Sequence, residues 1–107
     1  MVIRVLEIVP DCYSWAHGET VGETLRRAFV NEAEVVISFE GVDDVPSAFV
    51  NAAFLPLLDS YGFEDVRRRL KIINSTRQIN DMIRRRIVFE AAARNQAVNE
   101  SDLKRRA

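Results

Sequence analysis

Few residues in this chain could do chemistry. Cys12 and His17 stand five positions apart with Asp11 beside the cysteine. A thiol near an imidazole is the pairing that a covalent nucleophile and its base require. The spacing specifies no orienting third group, so the simpler reading is a cysteine packed as a small apolar side chain and a histidine in a loop. Asp43 and Asp44 follow the most apolar strand. Paired carboxylates there could hold magnesium, but a turn ahead of a helix needs the same residues to bond free amides, and that role is preferred. Ser47 stands where the next helix should begin. Unmodified, it would cap that helix, an interaction of about 1 kcal/mol. Phosphorylated, it would place a charge of about −1.5 to −2 at the positive end of the helix dipole.

The cationic runs are Arg67-Arg68-Arg69 and Arg84-Arg85-Arg86. Three successive helical residues sweep about 200°. The second run therefore cannot share one face, and Arg86 is expected to lie along the buried edge or to pair with an acid. Nucleic acid would want a coherent basic stripe interleaved with aromatic platforms. The aromatic residues here are spaced like core residues, which leaves Arg67, Arg68, Arg84 and Arg85 as an alternative basic surface.

These residues need a scaffold, and 107 residues allow one domain. Apolar residues make up 48% and charged residues 29%, ordinary for a globular fold. No apolar run approaches the length of a membrane helix, and no secretory signal pattern opens the chain, so the expected address is cytoplasmic. One cysteine excludes an internal disulfide framework and a multi-cysteine zinc cage. The net charge of −1 is unevenly spread: residues 1–63 carry ten acids and three bases, residues 64–107 six acids and twelve bases. No GxGxxG, Walker-type loop, HExxH or GxSxG occurs. No enzymatic activity, cofactor or metal is expected.

Val2–Val9 reads as a strand ended by Pro10. Cys12–Gly18 reads as a loop or a second short strand. Thr20-Val-Gly-Glu23 has capping-box spacing and should open a helix whose stripe is Leu25, Ala28 and Phe29. Gly22 inside it suggests close packing. Glu34–Glu40 is the clearest strand. A helix from about Ser47 to Tyr61 should kink at Pro56 and end at Gly62. Phe63–Arg68 fits one helical turn and Leu70–Ile73 a short strand. Ser75-Thr-Arg-Gln78 repeats the capping-box spacing ahead of a helix over Thr76–Arg94, buried through Ile79, Met82 or Ile83, Ile87 and Ala91. The core should span about 2–94, with 95–107 a flexible tail. Alternation of this kind predicts an α/β domain with right-handed crossovers.

Several segments carry a family likeness. Gly18-Glu-Thr-Val-Gly22-Glu23-Thr-Leu25-Arg26 looks like a glycine–glutamate signature at a helix start. Val35–Val42 followed by Pro46-Ser47-Ala48-Phe49 looks like a strand, a glycine turn and a Ser-Ser-Phe helix. Tyr61-Gly62-Phe63 and Arg69–Asn74 look like its closing Gly-Phe and strand. Together they resemble the STAS-like domain family of bacterial and phage proteins, akin to anti-sigma-factor antagonists. The resemblance implies a small STAS-type fold, with a central mixed β-sheet and three main helices, and a regulatory protein-binding role. In the antagonists a serine matching Ser47 is phosphorylated by a histidine-kinase-like ATPase. This chain departs from the pattern: Val45 and Pro46 replace the residues before the serine, and Ala48 replaces the second serine. The expected docking surface is Asp43, Asp44, Pro46, Ser47, Val50 and Asn51, with a protein as the partner.

Overall fold

The protein is described by a computed structural model covering residues 2–106, with side chains described for residues 2–95. The elements are β1 (Val2–Arg4), α1 (Val5–Ile8), α2 (Trp15–Asn31), β2 (Val35–Ser38), α3 (Ser47–Phe54), α4 (Leu57–Ser60), α5 (Phe63–Arg69), β3 (Leu70–Ile73) and α6 (Arg77–Arg106). The strands form one sheet in the order β1-β2-β3. Both pairings are parallel, so the expectation of a mixed sheet is corrected. Each strand returns through a helical crossover, which is what parallel neighbours require.

The first strand is shorter than the apolar run Val2–Val9 suggested. Its ladder ends where Arg4 meets Ser38, the last residue of β2. Beyond that point the backbone has no strand partner. It curls into one helical turn instead, closed by Val9 N–H donating to the Val5 carbonyl at 2.9 Å. The start of α2 also differs from expectation. Ser14 caps it, its Oγ accepting from the His17 N–H at 3.1 Å. The Thr20–Glu23 capping box does not form: Thr20 Oγ1 donates to the Ala16 carbonyl, and Glu23 pairs with Arg27. The stripe of Leu25, Ala28 and Phe29 is buried as read.

Register sorts the sheet into two faces. Ile3, Val35 and Ile37 are buried on one, beside half-buried Leu70 and Ile72. They join a core with Val21, Leu25 and Phe29 of α2, Phe49 and Phe54 of α3, and Ile79, Ile83 and Ile87 of α6. On the other face Val2 and Ile73 are about two-fifths exposed, alongside exposed Arg4 and Lys71. A parallel sheet is normally covered on both sides. Here polar and apolar residues alternate on the open side.

Two glycines set the distance between α2 and α3. A Cβ on Gly18 would stand 2.6 Å from the Phe49 carbonyl oxygen, and one on Gly22 would stand 2.8 Å from that of Ala52. The helices therefore meet backbone to backbone. Gly22 was read as a packing residue; Gly18, four positions earlier, completes the contact. The long helix predicted over Ser47–Tyr61 is interrupted at Leu55 and Pro56, where proline has no N–H to continue the ladder. Gly62 does not end it in a left-handed turn. Its φ is −69°, and its carbonyl accepts the Val66 N–H of α5 at 3.0 Å. The Ile79–Ile83–Ile87 stripe of α6 is buried as expected, and the helix continues past Arg94. From residue 96 onward the tail expectation lies outside the residues with described side chains.

Candidate functional site

Because all three strands are parallel, the segments that leave their carboxyl ends gather at one end of the sheet. Open α/β sheets bind their ligands there. The segments are the turn and loop after β1, residues 39–46 after β2, and residues 74–76 after β3.

The loop after β2 is built from anchors. Phe39, Val42 and Val45 are buried, and Gly41 turns the chain with φ +87°, a left-handed conformation that favours glycine. The chain's other positive φ belongs, among the described residues, to Asn74 at 51°. Asn74 Nδ2 donates to Ser38 Oγ at 3.0 Å, and Glu40 N–H donates to the same oxygen at 3.3 Å. Those partners account for Ser38 being polar and buried.

Two side chains from the start of α6 then hold the loop. Gln78 Nε2 donates to the Val45 carbonyl, and its Oε1 accepts from the Val45 N–H, both at 2.9 Å. Thr76 Oγ1 donates to the Asp43 carbonyl at 2.9 Å and accepts the Ile79 N–H at 3.2 Å. The predicted Ser75–Gln78 capping box is thus corrected. Thr76 is the cap, and Gln78 reaches 33 residues back along the chain to behave as a β-strand partner would. Ser75 Oγ donates instead to Asn80 Oδ1.

Ser47 is exposed at the first residue of α3. It does not cap the helix. Pro46 occupies the cap position, and no side chain supplies the capping bond. Proline's fixed φ sets the helix entry instead. Asp43 and Asp44 are exposed beside it and Pro46 is half-buried. Val50 is fully buried, so its place in the expected docking surface is corrected: it belongs to the core face of α3 with Phe49 and Phe54. Asn51 is half-buried, and its Oδ1 accepts from Arg86 Nε at 2.8 Å. Arg86 is half-buried and so lies along the buried edge, one of its two expected places, with an amide rather than an acid as its partner. Among the described residues no cluster of three or more potential metal ligands occurs, Asp43 and Asp44 included.

At the neighbouring loop, His17 Nδ1 and Asp11 Oδ1 are 2.9 Å apart. That bond, with the Tyr13 N–H as a second donor, lowers the Asp11 carboxyl below its usual range. Cys12 is buried, and burial pushes its thiol up to about 11, with the Asp11 charge adding to the effect. A thiol held neutral is the opposite of an activated nucleophile. Tyr13 and Trp15 are more than half exposed, unlike the core spacing read for the aromatic residues. Phe89 on α6 is exposed too.

The arginines divide among several roles. Arg67 pairs with Glu64 at 3.4 Å and Arg68 with Asp65, each within α5. Arg84 and Arg85 are exposed but line different grooves, as the helical sweep required. Arg69, the last of its cationic run, stacks over Phe29 and Tyr61 at 4.6 and 5.0 Å. Its guanidinium donates to the carbonyls of Phe29, Glu32 and Ala33 at the end of α2. It is a structural clamp between α5 and α2.

Neither a curated protein nor a solved structure matches the chain. A family model does, that of the STAS-like domain of unknown function (DUF4325), over residues 21–80, which takes in α2 from Val21 onward, the whole β2–Ser47 loop and the Gln78 clamp. That match covers more than half of the sequence, and the chain belongs to the STAS-like domain family.

Proposed function

We propose that this protein is a non-catalytic, regulatory interaction module. It docks a partner protein at the Asp43–Ser47 segment and is switched by phosphorylation of Ser47 by a histidine-kinase-like ATPase. One observation carries the reading: an exposed hydroxyl stands on a segment that is otherwise pinned, with the Val45 backbone held by Gln78 and the Asp43 carbonyl held by Thr76. A partner kinase would meet a preset conformation, so little ordering entropy opposes docking.

A phosphate at Ser47 would add about −1.5 to −2 charges beside Asp43 and Asp44. The first turn of α3 can take that charge, since its leading amides lack intrahelical partners. The docking face would change in field more than in shape. The alternative, nucleic-acid binding through the basic second half, has less support. Arg67 and Arg68 are engaged by their own helix, and Arg84 and Arg85 diverge.

The test is incubation with a histidine-kinase-like ATPase from the same genome and ATP, followed by intact mass. The expected result is an adduct of about 80 Da on the native chain and none on Ser47→Ala. No adduct on the native chain, or one that persists in Ser47→Ala, rejects the switch. A steep fall of DNA or RNA affinity with salt would favour the alternative.

A further inference from the structure

We infer that the free edge of β3 is a second docking site, and that it takes an extended peptide segment alternating apolar with acidic residues. β3 is an outer strand of the sheet. Phe39 N–H donates to the Ile73 carbonyl at 3.1 Å, which turns the Ile73 main chain inward, toward the β2 side. Main-chain groups alternate along a strand, so the N–H and C=O of Ile72 point the other way, to the open edge. No strand pairs with them among the described residues; Leu70, which faces the same way, has its N–H taken by the Val66 carbonyl of α5, so Ile72 supplies the open groups.

Beside that edge lies a groove of about 370 Å³ between α5, β3 and α6. Val66, Ile72, Ile83 and Ile87 contribute to its apolar floor, and Arg67 and Arg84 stand in its lining. Exposed sheet edges are usually blunted by a proline, a bulge or an inward charge. β3 carries one charge, Lys71, and the register turns it to the opposite face of the sheet.

These features specify the occupant. Unmet main-chain groups call for another main chain, which an extended segment supplies by strand addition. A strand added there would place alternate side chains over the apolar floor. The guanidinium of Arg84 calls for a carboxylate. Among the described residues no acid lines the groove, Arg67 already engages Glu64, and Arg84 forms no ion pair. A basic partner fails the charge requirement and a helical one the main-chain requirement. This site is independent of Ser47: no residue of the Asp43–Ser47 segment lines the groove.

The experiment selects a random peptide display library on the full-length protein. Enriched peptides should alternate apolar residues with aspartate or glutamate. A synthetic copy of one should slow exchange of the Ile72 amide. Its affinity should drop by about tenfold or more for Arg84→Glu, an exposed change that the fold tolerates. It should be lost when the peptide backbone is N-methylated and unchanged in Ser47→Ala. The inference fails if nothing is enriched, if the enriched peptides are basic, if Ile72 exchanges as before, or if Arg84→Glu binds as well as the native chain. A dimer that protects Ile72 without peptide would also overturn it, by assigning the edge to a second copy.

Discussion

The two flanks of the sheet are packed by opposite means. Where α2 crosses α3, glycines bring backbones into contact and leave no room even for a methyl group. Where α6 passes β3, branched aliphatic side chains hold the elements apart and a groove remains. One flank is closed by removing side chains and the other is left open by large ones. The closed flank carries Ser47 at its tip, and the open flank borders the unpaired edge. Rigidity and vacancy are thus separated within one small domain.

Adding carbon on each side should break that comparison if it is mistaken. Gly18→Val forces branched carbons onto the Phe49 carbonyl and the Ala52 side chain, and should destabilise by about 3 kcal/mol or more in urea melts. Val88→Leu, on the groove side, should change stability by less than about 0.5 kcal/mol. Equal effects would erase the distinction.

A second, smaller effect tests how the open flank is tied to the closed one. Arg69→Ala strips a donor from three carbonyls at the end of α2 and removes the stack on Phe29 and Tyr61. A loss of about 2 kcal/mol is expected. Arg69→Lys should recover less than half of it, because a point charge cannot reproduce a planar fork.

Gln78→Ala sharpens the contrast from the site's side. It should cost about 1–2 kcal/mol by leaving the Val45 groups unpaired, and amide exchange at Val45 should quicken. If Val45 exchanges at the native rate, the loop is held by its apolar anchors alone.

The smallest effects come from titration. The Cys12 thiol, raised to about 11, favours the folded state most below the ordinary thiol range; that contribution disappears as pH rises through about 11. A thiol reagent at mildly alkaline pH should react with Cys12 only in the unfolded chain. Asp11 runs in the other sense. Its lowered carboxyl supports the fold above the usual carboxylate range and stops doing so as pH falls through its depressed value. His17→Ala should let it rise, visible in a carboxyl-resonance NMR titration.

Much of the fold was legible because it was local. β2, β3 and α5 are short runs, with Gly62 ahead of α5 and Asn74-Ser75 after β3, and the stripes of α2 and α6 repeat at helical spacing. What failed depended on distant partners. The length of β1 is decided by where β2 stops, and Val2–Val9 contains no sign of that. The capping signal at Thr20 was read as the start of α2, but the helix begins at Trp15 behind Ser14, where Gly18 can pack against α3. Strand direction is invisible to periodicity. At the site, the position of Ser47 was readable, whereas the role of Gln78 was not, because a capping-box glutamine and a long-range backbone clamp look the same in a sequence. Val50 could have been assigned to the interior, since it lies on the same apolar face as Ala53 and Phe54.

Gly18 and Gly22 leave no cushion between two helices, so α2 and α3 act as a single beam. Neither can move toward the other without main chain meeting main chain. A mark set at the tip of α3 will therefore be felt by whatever touches that tip, through the charge it brings, while the beam beneath stays where it was.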